Sequence, residues 1–126
     1  MMAESVLIMN VITDKLREKY LLRIKTLVSS DINGEHFTMV RTKKNIDFMY
    51  EYGLSIEDVK NIILNLSTED CFSGPENDRD LKCEGWIFKF SPMFENVKLY
   101  IKIRVESSEK SVCLSVHEFG KYDEVK

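Results

Sequence analysis

Apolar residues fall into two rhythms along this chain, and the change between them divides it. From Thr13 the sequence DKLREKYLLRIKTLV places Leu16, Tyr20, Ile24, Leu27 and Val28 at three- and four-residue steps, one stripe of a helix. Thr13 or Asp14 is placed to cap its start, and Ser29-Ser30-Asp31-Ile32-Asn33-Gly34 is turn chemistry that stops it. Phe37-Thr38-Met39-Val40 alternates as a short strand does. A second short helix carries Ile46, Phe48, Met49 and Tyr52, with Asn45 as the expected cap and Gly53 as its end. Ser55 and Asp58 form a variant capping box for a third helix, whose apolar face is Ile56, Val59, Ile62, Ile63 and Leu66.

Ser73-Gly74-Pro75-Glu76-Asn77-Asp78-Arg79-Asp80 reads as a loop on composition. Beyond it the period becomes two. Trp86, Phe88 and Phe90 alternate with Ile87 and Lys89, and Trp86 is assigned to the core. Leu99, Ile101, Ile103 and Val105 alternate with Lys98, Tyr100, Lys102 and Arg104. Val112, Leu114 and Val116 alternate with Cys113, Ser115 and His117. Ser107-Ser108-Glu109-Lys110 supplies a hairpin turn between the last two strands. Helices first and an antiparallel meander afterwards predict an α+β fold, with N-terminal helices packed on an antiparallel sheet.

Composition narrows the class. With 126 residues, 44% of them apolar, the chain has material for one core and is too short for a barrel enzyme or a full dinucleotide-binding dehydrogenase. We therefore expect a single domain over 1–126. Lys and Arg total 18 against 21 Asp and Glu, so the net charge of −3 excludes a globally basic nucleic-acid coat but not a local patch. No apolar window has the length of a membrane span. Val6–Ile12 lacks the basic flank and small-residue cleavage site of a signal peptide, so a cytoplasmic protein is expected. Three cysteines (Cys71, Cys83, Cys113) at wide spacing and only two histidines speak against a zinc site or a disulfide framework. Cys113 on its own reads as a core thiol, although strict alternation sets it beside Ser115 and His117.

The strand registers carry the candidate chemistry. If Leu99, Ile101, Ile103 and Val105 face the core, the other face of that strand holds Lys98, Tyr100, Lys102 and Arg104, about 7 Å apart. The hairpin then brings His117 toward Tyr100 and Lys102. Metal-free RNA cleavage needs a base for the 2′-hydroxyl, an acid for the leaving 5′-oxygen, and positive charge at the pentavalent phosphate. Histidine serves the first two and lysine or arginine the third, while an aromatic ring stacks on an unpaired base. Singly, each residue has a plainer reading. Alternating lysines are a solvated sheet face, a lone histidine is a satisfied polar group, and a tyrosine is a half-buried amphipath. Arg41, Lys43 and Lys44 read as surface, and Asp78-Arg79-Asp80 as a salt-bridged turn rather than a metal site.

Seven pieces in order resemble a known family: Arg41-Thr42-Lys43-Lys44-Asn45; Gly53-Leu54 with Asp58-Val59; Leu66-Ser67 with Asp70; Gly74-Pro75 with Asp78-Arg79-Asp80; Trp86-Ile87-Phe88; Tyr100-Ile101-Lys102-Ile103; and Cys113-Leu114-Ser115-Val116-His117-Glu118. Together they are similar to the MqsR family of type II toxins, in its Gram-positive branch. The resemblance covers about Phe37 to Phe119, with a variable N-terminal helix over about 10–30. It implies a RelE-like fold and an mRNA interferase, an endoribonuclease that cuts single-stranded mRNA without a cofactor. It also implies a cognate helix-turn-helix antitoxin as partner, with DNA engaged only through that antitoxin, and no membrane. The family's sheet tyrosine falls on Tyr100 and the lysine of its Tyr-x-Lys pattern on Lys102. His117 stands where some members carry a catalytic lysine. A lysine after the third helix is replaced here by Ser73, which leaves Arg79 or Lys82 as substitutes, and a glutamine is replaced by Ile87. The resulting expectation is a catalytic set of His117, Tyr100, Lys102 and Arg79, with Lys98, Arg104, Lys82 and Lys89 on the RNA. Glu118 falls on the opposite face by alternation. The competing expectation is a non-catalytic interaction module using the same sheet face. A DNA-binding regulator is disfavoured, because Glu57, Asp58, Lys60 and Asn61 do not make a basic recognition helix.

Overall fold

The computed structural model describes residues 2–77 and 85–122, with side chains from residue 10 onward. Helix α1 (Met2–Ser30) is followed by strand β1 (Phe37–Met39) and helices α2 (Lys43–Tyr52) and α3 (Ile56–Leu64). A single 3-10 turn (Thr68–Asp70) leads into β2 (Cys71–Asn77), β3 (Trp86–Phe90), β4 (Met93–Phe94), β5 (Val97–Val105) and β6 (Ser111–Glu118). The strands lie in the order β1-β6-β5-β3-β2, and β4 folds back on β5. The fold is α+β, as the two rhythms predict. The sheet is mixed rather than wholly antiparallel, because β1 runs parallel to β6. Among the described residues no helix is long and apolar enough to cross a membrane.

The helices cover one face of the sheet. Leu21, Ile24 and Val28 of α1, Phe48 of α2, and Val59 and Ile63 of α3 pack against Phe88, Phe90, Leu99, Ile101, Ile103, Val105, Cys113 and Val116. The other face is left for polar work.

Several boundaries depart from the sequence reading. Helix α1 starts at Met2, not near Thr13, because no Gly or Pro interrupts the residues before Thr13. Thr42 caps α2 by accepting from the Asn45 N–H, so Asn45 lies inside the helix, and Gly53 ends it in the left-handed conformation as expected. Ser55 and Asp58 form both halves of the expected capping box. Part of the expected loop is strand β2. Its pairing with β3 slips twice, between Cys71 and Ser73 and between Ser73 and Glu76. Gly74 lies at the second slip with φ +115°, and a Cβ there would sit 2.6 Å from the Ile87 carbonyl oxygen, so the strands meet only because the residue is glycine. Trp86, assigned to the core, is 40% exposed; it pairs with Asn77 and Val105, the last residues of β2 and β5.

The largest correction concerns the parity of β6. Leu114 is an inserted residue between Cys113, opposite Ile103, and Ser115, opposite Lys102. The bulge turns Cys113 into the core and Val112 out of it, opposite Arg104, while Val116 keeps its expected inward place opposite Ile101. Burial pushes the Cys113 thiol up to about 12, as befits a core thiol.

Candidate functional site

Strand β5 lies between β3 and β6, so Lys102 and Arg104 sit mid-sheet, while Lys98 and Tyr100 lie just past the end of the β3 pairing. Tyr100 is opposite His117, and Lys102 is opposite Ser115 on one side and Lys89 on the other. Arg104 is opposite Ile87 and Val112, and Ser73 extends the Lys102–Lys89 row onto β2. Six of the eight expected site residues thus share this sheet face: His117, Tyr100, Lys102, Lys98, Arg104 and Lys89. Arg79 and Lys82 lie outside the described residues, as does Cys83.

The Tyr100 and His117 rings stack 5.3 Å apart, inclined by 16°. His117 Nδ1 lies 3.1 Å from the Glu118 carbonyl oxygen. A carbonyl only accepts, so Nδ1 carries the proton, and in the neutral ring Nε2 carries the lone pair. Although they belong to the face away from the helices, Tyr100 and His117 are each only 2% exposed. The chain leaving β6 folds over them: the Tyr122 ring meets His117 edge-on at 4.8 Å, and Phe119 lies 6.3 Å from Tyr100. Lys44 of α2 stands 4.7 Å above the Tyr122 ring and helps hold it.

The cations of this face are largely engaged. Lys89 Nζ pairs with Glu76 Oε1 at 3.1 Å, and Ser73 Oγ donates to Glu76 Oε2 at 3.1 Å. Burial works against the Glu76 charge, yet Lys89, Ser73 and the field of Lys102 outweigh it and hold the carboxyl below its usual range. Arg104 donates to Glu106 Oε1 from both Nε (3.2 Å) and a terminal nitrogen (2.7 Å). Lys98 is exposed, with Nζ 4.2 Å above the Phe119 ring. Glu118 lies toward the helices, as alternation requires, and accepts from the Tyr52 hydroxyl at 2.7 Å. That bond pushes the Tyr52 phenol up to about 12.

Sequence reasoning missed Glu76, Phe72, Phe119 and Tyr122. Phe119 was within reach, since it continues the alternation from Ser115 and His117 by one step. Glu76 was hidden because Ser73–Asp80 reads as a loop, and Phe72, just before it, falls in no predicted element. Compared with models of known protein families and with curated proteins, the chain matches none.

Proposed function

We propose that this chain is a toxin of the MqsR type with a RelE-like fold, a cytoplasmic endoribonuclease that cleaves single-stranded mRNA and is held in check by a cognate helix-turn-helix antitoxin. The observation that carries the reading is the Tyr100–His117 stack across β5 and β6, flanked along β5 by Lys98 and Lys102. His117 Nε2 is the proton-transfer atom. The substrate 2′-oxygen loses its proton and attacks phosphorus, the bond from phosphorus to the 5′-oxygen breaks, and that oxygen gains a proton. The products are a 2′,3′-cyclic phosphate and a 5′-hydroxyl. Lys102 and Lys98 stabilise the charge gathered on the pentavalent phosphate, and Tyr100 positions it. Arg79, which follows β2 in the sequence, is the further catalytic candidate. Access to His117 requires Tyr122 to swing aside, and Gly120, left-handed at φ +80°, lies between them.

A second reading has its own support. Glu76 and Glu106 offset Lys89 and Arg104, and His117 is covered, as suits a sheet face that binds a protein rather than RNA. The deciding experiment is cleavage of a defined mRNA by purified protein in EDTA, beside His117→Ala and Tyr100→Phe. Cleavage by the parent, with a loss of about two to four orders of magnitude in His117→Ala, supports the nuclease. A folded parent as silent as its variants overturns it in favour of the interaction module.

A further inference from the structure

Phe72 and Phe119 are large aromatic residues on the outer face, away from the core. Phe72 follows the buried Cys71 and by alternation turns outward, where it is 39% exposed, and the slip in the β2–β3 register sets Ser73 on the same outer face. Phe119 arrives from the far side of the sheet, past the end of β6, and is half-buried. Their rings meet edge-on at 5.7 Å. Each also approaches Tyr100, Phe72 at 6.2 Å and Phe119 at 6.3 Å, so three rings from three separate segments form one cluster beside His117. The exposed Lys98 ammonium, 4.2 Å above Phe119, sets a positive charge at the rim of this apolar patch. A Phe72 ring that is 39% exposed, beside a Phe119 ring with a cation over its face, suits a ligand that is aromatic at one end and anionic at the other, which describes a nucleotide of an unpaired strand.

We propose that Phe72 and Phe119 form a nucleobase-stacking platform next to the Tyr100–His117 pair, with Lys98 on the adjoining phosphate. The proposal rests on the RNA reading above and adds the residues that hold a base beside the scissile phosphate. Stacking accepts any base face, so the platform supplies affinity and register rather than sequence choice. Hydrophobic cover alone would be served equally well by leucine at both positions.

That difference provides the test. Binding of a fluorescent, mixed-sequence 2′-O-methyl oligonucleotide, which lacks the attacking hydroxyl, is measured by anisotropy for the parent, Phe72→Leu, Phe119→Leu and Phe72→Trp. Thermal midpoints are recorded alongside. The expected result is roughly tenfold weaker binding for each leucine variant at an unchanged midpoint, with parental affinity retained in Phe72→Trp. Leucine variants that bind as the parent does overturn the platform and leave the rings as packing. The same proteins are then given unmodified RNA in EDTA. Ring-dependent binding without cleavage keeps the platform and sinks the nuclease. Cleavage with KM unmoved by the leucine changes sinks the platform alone, and a parent that neither binds nor cuts sinks both.

Discussion

The Asp31 carboxylate, just past the end of α1, accepts from Lys60 Nζ at 2.9 Å and from the backbone N–H groups of His36 (2.8 Å), Phe37 (2.9 Å) and Gly34 (3.3 Å). Its side chain is 2% exposed and that of Lys60 12%. Burial opposes the charge, but these donors win and hold Asp31 well below the usual 3.8, while the same contact raises Lys60. The folded state thus keeps Asp31 ionised where the unfolded chain takes up a proton. The associated stability is complete above about pH 4 and is lost as the pH falls toward the folded value. Asp31→Asn should cost about 3 kcal/mol at pH 7, because the largely enclosed Lys60 is left with only the exposed Glu57, 3.6 Å away, as counter-charge. In urea titrations the deficit should narrow steadily below about pH 4, and a deficit independent of pH would show that the charge is not the cause. The sequence marks Asp31 as turn chemistry, which is correct locally. The role of Lys60 was out of reach, because that ion pair closes across the β1–α2 segment and no local pattern records it.

At the scale of elements, β6 outruns its parallel neighbour. Strand β1 ends at Met39 opposite Cys113, and the edge beyond is finished by a side chain. Asn45, 1% exposed, donates to the Leu114 carbonyl (3.1 Å) and the Val40 carbonyl (2.8 Å) and accepts from the Val116 N–H (2.9 Å). Its carboxamide does for the bulged edge what another peptide group would do. Asn45→Leu should therefore cost about 2–3 kcal/mol in urea unfolding, since it leaves buried backbone groups unpaired while adding no cavity. The helices and strands β3, β5 and β6 were legible because each repeats its period at least twice. The bulge was not, because one inserted residue leaves the apolar alternation of Val112, Leu114 and Val116 looking regular while reversing which face Cys113 and Val112 occupy. Strand β2 was hidden for a related reason: Gly74 and Pro75 are turn residues by composition, and it is close contact with Ile87 and Phe88 of β3 that requires the glycine. The chain after β6 is the other element that bears on function. Tyr122→Ala should raise the modification rate of His117 by diethyl pyrocarbonate several-fold, read by mass spectrometry with His36 as internal reference. An unchanged ratio would mean that Tyr122 does not control access.

Taken as a whole, the molecule is acidic, with a net charge of −3, so any nucleic-acid affinity has to come from a local arrangement of charge. Lys98 and Lys102 stand along β5, while Lys89 is tied to Glu76, whose carboxylate also lies in the field of Lys102. Glu76 therefore restrains the positive potential of the candidate site without occupying its centre. Glu76→Gln keeps the acceptor for Ser73 and removes the charge that competes with phosphate for Lys89 and Lys102. For single strands each neutralised phosphate steepens the dependence of log affinity on log salt by about 0.7. If RNA crosses this face, the variant should bind an oligonucleotide more tightly at low salt, with a slope steeper by roughly one phosphate, about 0.7. The advantage should fade as salt rises past the range where surface charges are screened. An interaction module whose partner is a protein with basic groups predicts the opposite sign, because Glu76 would then be an attractive contact and its neutralisation would weaken binding. A slope that does not change would place the phosphate path away from Lys89 and Lys102, leaving Lys98 and the aromatic cluster as the part of the face that meets RNA.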